Sequence, residues 1–255
     1  MPRSLLAALL LCGVALADGN EFGGHTKFRL LGQSFPDASL LRQVAGANSV
    51  DLESDLRLDF SADGDRWIFN AAYQLFALHG DSIEWTRDLN ATASPLGVRL
   101  PNDERRLLNL TDVIRDRGSS AVLHRIDRLA LTYTSEKAVV RFGRQALSWG
   151  NGLFYAPMDL VNPFDPAAID TEFKAGDDML YLQYLRDNGD DVQSAIVMRR
   201  NLVTGDVEAD AATVALKYHR FAGDNEYDLL VAESYGATVF GLGGVRSIGG
   251  AIWRG

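Results

Sequence analysis

The chain has 255 residues, with 25 Lys and Arg against 34 Asp and Glu and a formal net charge of −9. That balance excludes nucleic acid as a partner, because a phosphate-binding surface needs clustered cations. A single cysteine, Cys12, excludes a secreted domain held by internal disulfides, and a mean hydropathy near zero leaves patterning to decide between a soluble protein and a membrane β-structure.

Residues 1–17, MPRSLLAALLLCGVALA, combine Arg3, an apolar run from Leu5 to Leu16 and the small-residue signal Ala15-Leu16-Ala17. They read as a secretory signal peptide cleaved before Asp18, too short in apolar residues for a membrane helix. Leu11 stands where a lipidated Cys12 would need a small residue. Cleavage also removes Arg3, making the mature net charge about −10. No later run is long and apolar enough for a membrane helix.

A first strand is expected over residues 25–33, and residues 50–60 give the clearest one. There Val50, Leu52, Leu56, Leu58 and Phe60 alternate with Asp51, Glu53, Asp55, Arg57 and Asp59, so one face meets an apolar medium and the other water. Ala62-Asp63-Gly64-Asp65 turns the chain back through Trp67, Phe69, Ala71, Tyr73 and Leu75. The figure recurs at 122–134 with 138–149, at 178–186 with 191–202, and at 211–221 with 226–236, each pair joined by a short polar turn. Longer connections lie at 34–49, 76–121, 150–177 and 203–210. Short and long connections thus alternate without exception. This is the layout of a transmembrane antiparallel up-and-down β-barrel of about ten strands, with short turns inside and long loops outside.

Aromatics near the short turns, namely Phe60, Trp67, Tyr133, Tyr184 and Tyr227, share the parity of the apolar sets and form an expected interface girdle. Phe221 has the wrong parity, so Tyr218 takes its place, and Trp149 is expected as a further interface anchor. Ordinary core aromatics of a soluble β protein are the competing reading.

The opposite parity defines a pore lining of Lys27, Arg29, Asp51, Glu53, Asp55, Asp59, Arg128, Arg141, Gln145 and Lys217, with His219 nearby. Lys27 and Arg29 are expected to pair laterally with the acidic residues of the next strand. Arg144 breaks the alternation, which calls for a bulge or for a strand that has left the bilayer. Residues 103–117, opened by Asn102 and carrying Leu107, Leu110 and Ile114, predict a short amphipathic helix. The loop 150–177 holds Asp159, Asp165 and Asp170 as constriction candidates, with a second short helix capped at Asp165-Pro166. Its acidity reads as a solvated loop rather than a calcium site, because no Asp-x-Asp-x-Asp spacing is present.

Little in the chain points to catalysis. His25, His79, His124 and His219 stand apart with no second ligand at metal spacing. No Gly-x-Ser-x-Gly elbow appears, and Gly241-Leu242-Gly243-Gly244 alone is weak support for phosphate binding. The sequons at Asn90 and Asn109 matter only in a eukaryotic secretory pathway. No cofactor and no metal is expected.

Arg141-Phe142-Gly143-Arg144-Gln145, then Ser148-Trp149-Gly150 and Asn162-Pro163-Phe164, resemble a strand-and-loop signature of porin-like proteobacterial outer-membrane proteins, similar to the alginate-export and phosphate-selective porin groups. The opening GGHTKFRLLGQSFP resembles them more weakly. The likeness implies a barrel in the outer membrane of a Gram-negative bacterium, in contact with its lipid. It carries no substrate and no binding residue. Such barrels end in a strand with a terminal aromatic, whereas this chain stops at Ile252-Trp253-Arg254-Gly255, so it is expected to be the N-terminal part of a longer barrel. The functional expectation is a non-enzymatic channel for passive diffusion of small polar or ionic solutes. The alternatives are a polysaccharide-export or partner-binding barrel with the loops as lid, and a barrel-embedded lipid hydrolase.

Overall fold

A computed structural model describes residues 19–89, 97–150, 156–164 and 172–255. The expected signal peptide, the Asn90 sequon and the Asp165-Pro166 cap lie outside the described residues. The chain is all-β. Its first hairpin pairs β1 (Asn20–Ser34) with β2 (Asn48–Asp63) in a register that runs from Asn20↔Ala62 to Ser34↔Asn48. Then come β3 (Trp67–Gly80), β4 (Thr111–Arg117), β5 (Ser120–Thr134) and β6 (Ala138–Gln145). After the central loop follow β7 (Asp177–Leu185), β8 (Asp191–Val197), β9 (Thr213–Ala222), β10 (Asn225–Ser234), β11 (Ala237–Ile248) and β12 (Ala251–Arg254). Two short helices, α1 (Arg42–Ala45) and α2 (Asp81–Arg87), sit in the first two long connections.

Neighbouring strands are antiparallel and follow sequence order, β1-β2-β3-β5-β6-β7-β8-β9-β10-β11-β12, with β4 paired to β5 off this path. The sheet does not close: β1 and β12 are its two edges, and they run in the same direction because the path between them holds an odd number of strands. The four short turns after Asp63, Thr134, Leu185 and Ala222 lie at one end of the sheet, and three of them carry the Gly, Asp and Asn residues that tight turns favour. Gly64 N–H, for example, bonds the Trp67 carbonyl at 2.8 Å.

Three expectations are corrected. Residues 103–117 are not a helix. Thr111–Arg117 form β4, in register Thr111↔Arg125 to Arg117↔Ser120 against β5. The upper half of β5 extends beyond β6 and leaves an edge that must be hydrogen-bonded, and residues 111–117 supply it. The tenth strand of the expected count, which the sequence places near residues 238–253, is two strands, β11 and β12, parted by Gly249 and Gly250, whose φ of 59° and 83° favour glycine. Finally, the alternation of connections has an exception. β10 and β11 are joined at the long-loop end by a tight turn at Tyr235 (φ 50°) and Gly236 (φ 71°), the pair of positive dihedrals a two-residue hairpin needs.

Candidate functional site

Two faces of the sheet differ in chemistry, and the described parts of the central loop (146–150, 156–164 and 172–176) identify the inner one by packing on it. The outer face exposes Phe28 (75%), Leu30 (74%), Phe142 (67%), Phe240 (76%) and Leu242 (81%), with Trp67, Tyr184 and Tyr227 toward the short turns. Trp67 and Tyr133 pack there at 4.9 Å between ring centroids. The inner face is charged. Lys27 stands opposite Asp55 and Arg29 opposite Glu53. Arg29 Nε donates to Glu53 Oε2 at 2.7 Å, as lateral pairing requires, but the Lys27 ammonium meets Glu172 of the loop at 2.6 Å.

The centre of the inner wall is Asp127. The β3–β5 register shifts between Ala72↔Arg128 and Tyr73↔Ile126, so Asp127 is an extra residue in β5, a bulge that places it on the same side as its flanking arginines. Its carboxylate accepts from Arg57 Nη1 at 2.9 Å and from Arg128, and lies 3.3 Å from Arg125. Arg57 also donates to Asp59 at 2.8 Å. Gln74 completes the row by accepting from Arg125 at 2.9 and 2.7 Å. Buried charges are tolerated only when paired in this way.

The described parts of the loop pack against the sheet. Trp149 and Met158 join Tyr181, Ala195, Ala215, Leu230 and Ala232 in one apolar cluster, and Trp149 Nε1 donates to Gln193 Oε1 at 2.6 Å. Trp149 is therefore buried on the inner side and is not an interface anchor: β6 ends at Gln145 rather than at 149, and the chain folds inward. Gly241 and Gly243 explain the glycine run of β11, since a Cβ at either would fall within 3.0 or 3.1 Å of Met158. Lys174 holds the loop's return with Asp159 and the Leu147 carbonyl. Burial pushes its ammonium below the ordinary lysine value, against the opposing pull of Asp159. Beyond it, Phe173 stacks on His25 at 4.9 Å and lies under Arg57 at 4.5 Å, so the loop ties β6 and β7 to β1 and β2.

Arg144 resolves the broken parity. It occupies an outer-face position beside Phe142, yet its side chain is 1% exposed. Residues 101–110 cross over it as a strap. Arg144 donates to Asp178 through Nε (2.9 Å) and Nη2 (3.0 Å), to Asp103 through Nη1 (2.9 Å) and to the Leu108 carbonyl (2.7 Å). The guanidinium fills the point where the edge of β5 passes from β6 to β4. Gly143 allows it: its φ is 115°, and a Cβ there would lie 2.2 Å from the Leu129 carbonyl oxygen. Asp103 is thereby spent on Arg144, Arg106 and the Leu110 N–H, and does not open a helix.

The expected lining residues divide. Lys27, Arg29, Glu53, Asp55, Asp59, Arg128 and Arg141 lie on the inner face with partial exposure. Asp51 and Lys217 are buried and do not line open space, and Gln145 is buried with only its edge on the cavity beside the loop. Asp51 accepts the Ser82 N–H at 2.8 Å in the first turn of α2, and Lys217 pairs with Asp228 at 2.9 Å. Asp159 belongs to the loop's internal ion pair, while Asp165 and Asp170 lie outside the described residues. The alternation of β2 placed Arg57 on the polar face without naming it a lining residue, whereas Arg125 and Asp127, beside the bulge in β5, were not singled out from the sequence. An open cavity of about 530 Å³ remains beside the loop, lined among others by Arg57, Asp59, Asn70, Arg128, Arg141 and Gln145. His219 Nδ1 contacts Asp228 at 2.8 Å, and among the described residues no three His, Cys, Asp or Glu side chains gather at metal-binding distance.

No family model matches the chain, and searches of curated proteins and of solved structures return no match.

Proposed function

We propose that the chain forms the wall of an outer-membrane β-barrel and acts as a porin-like channel for passive diffusion of small polar or ionic solutes, without catalysis. The observation that carries this reading is the division of one antiparallel sheet into an outer face of exposed large hydrophobics and an inner face of paired charges. Only an apolar medium outside and water inside satisfy both faces at once. The aromatic residues at the short-turn end and the loop laid against the inner wall accord with it, as does the resemblance to porin-like outer-membrane proteins. Barrel closure, which hydrocarbon requires of every strand edge, is part of the proposal.

The test is single-channel conductance of the full-length gene product in a planar bilayer at two salt concentrations. Reproducible steps that scale with salt are expected. Silence from folded, inserted protein would overturn the open channel. It would instead support the second reading, an export or partner-binding barrel closed by its loop, which the dense packing of Trp149, Met158 and Lys174 favours.

A further inference from the structure

A bulge in β4 turns two arginines outward. Asp112 pairs with His124 and Arg117 with Ser120, but the register slips between Val113 and Arg115, so Ile114 is an extra residue in the strand. Plain alternation from Asp112 would send Ile114 and Asp116 to the outer face and Arg115 and Arg117 to the inner one. The bulge reverses this: Arg115 comes out beside Val122 and Arg117 beside Ser120, while Asp116 takes the opposite side and accepts from the Arg87 guanidinium. Arg117 thereby ends a row that runs across the outer face through Ser120, His79, Leu52 and Leu30. Leu30 and Leu52 are exposed apolar residues of that face, and the Ser120 hydroxyl lies 2.9 Å from His79 Nδ1. Both arginines are exposed, and among the described residues no carboxylate pairs with either, Asp112 on the same face included.

Height along the barrel gives the cluster its surroundings. Val122, the partner of Arg115, stands twelve residues from Thr134 at the short-turn end of β5. At ~3.4 Å per residue and a strand tilt of ~40°, that distance is about 30 Å along the membrane normal, against an apolar band of about 25 Å. Both guanidiniums therefore stand just beyond the hydrocarbon at the long-loop end, at the level of the lipid headgroups. We infer that Arg115 and Arg117, with Ser120 and His79 beside them, form a binding site for a phosphate-bearing lipid of that leaflet, whose acyl chains lie on the exposed apolar residues below. Guanidinium N–H groups match phosphate oxygens in pairs, and cations at a membrane surface draw anionic lipid. The chain carries a net charge of −9, so a pair of arginines without counter-charge marks this stretch of the rim off from the rest. A soluble phosphate has the charge and lacks the apolar half. This inference rests on the reading of the outer face as lipid-facing, and it names the lipid which that face holds by its headgroup.

The test is binding of radiolabelled dioleoyl phosphatidic acid to the full-length chain folded in dodecyl maltoside, with dioleoyl phosphatidylcholine as the zwitterionic comparison. Saturable binding of phosphatidic acid is expected, weakened at least about tenfold in the double variant Arg115→Gln with Arg117→Gln. Arg66→Gln, which removes a cation at the short-turn end, should leave it scarcely changed. Thermal unfolding checks that each variant is folded; if the double variant does not fold, the two single variants decide, each expected to weaken binding severalfold. Inorganic phosphate at the same concentration should not displace the lipid. Equal binding of phosphatidylcholine would reduce the patch to ordinary lipid contact, and displacement by inorganic phosphate would make it a site for the free anion; either overturns the inference. So does absence of saturable binding, or equal binding by wild type and the folded variants. The readout needs no conduction, so failure here leaves the channel reading standing, and a silent bilayer leaves the lipid site standing.

Discussion

Arg144 and Asp178 form a two-pronged ion pair across β6 and β7, with nitrogen–oxygen distances of 2.9 and 3.0 Å, at register positions that belong to the outer face. A salt bridge on that side is compatible with its surroundings only because the strap at residues 101–110 covers it and Asp103 shares the guanidinium. The pair thus fixes where the lipid-exposed surface of the proposed barrel stops and the capped upper rim begins.

Replacing Arg144 with Met keeps most of the volume but strands the buried carboxylates of Asp178 and Asp103. A loss of about 3–5 kcal/mol is expected, as for other broken buried pairs, read as a shift in the urea midpoint of the detergent-folded protein. The double variant Arg144→Met with Asp178→Leu should recover part of it. A single variant as stable as wild type would mean that the strap does not seat on this pair.

The same cluster sets an acid limit. Burial raises the Asp103 carboxyl, but hydrogen bonds from Arg106 and Arg144 outweigh it and hold the group below its ordinary value of 3.8. A carboxyl depressed on folding stabilises the fold above its unfolded pKa, and that contribution is lost as pH falls through the lower folded value. Stability should therefore hold from neutral pH down to about 4 and decline below it. Asp103→Asn should be less stable at neutral pH and should lose less on acidification. Parallel pH profiles for the two proteins would remove Asp103 from the acid response.

Leu56 lies on the outer face midway along β2, opposite Thr26 and Leu75. Leu56→Arg should destabilise the membrane-folded protein by about 2–4 kcal/mol, with a smaller effect for Leu56→Phe. A neutral outcome in lipid would contradict the assignment of that face to hydrocarbon.

Lys174→Met keeps the apolar stem and removes the ion pair with Asp159 that closes the loop upon itself. In the proposed channel the loop should then sample positions off the wall. Single-channel current should rise and become noisier while the sheet remains folded by circular dichroism. An unchanged current trace would show that the loop does not narrow the path.

The strands were legible wherever one face met a different medium from the other. Leu52, Leu56, Leu58 and Phe60 alternate with charges because β2 lies between two such faces, and the polar turns after Asp63, Thr134, Leu185 and Ala222 have local chemistry that needs no distant contact. What stayed hidden was decided at long range. Leu107, Leu110 and Ile114 carry helical spacing, yet the unpaired upper edge of β5 captures Thr111–Arg117 as β4. Trp149 has the composition of an interface anchor, and only the inward fold of the loop onto Gln193 buries it. The parity count failed at Arg144 because the covering strap lies some 40 positions earlier in the chain, as the Asp103 contact shows. The bulge at Asp127 likewise hid the centre of the inner wall, since nothing local in Arg125-Ile126-Asp127-Arg128 marks which residue is extra.

The measurement that tests the central claim most directly is a spin-label scan along β2, from Leu52 to Phe60, in bilayer-reconstituted protein with Cys12 replaced by Ser. Collision rates with dissolved oxygen and with a water-soluble nickel complex report lipid and water at each position. Oxygen should dominate at Leu52, Leu56 and Leu58 and nickel at Glu53, Asp55 and Asp59, with a period of two. Loss of that alternation, or nickel access at the leucine positions, would contradict a sheet with lipid on one side and water on the other.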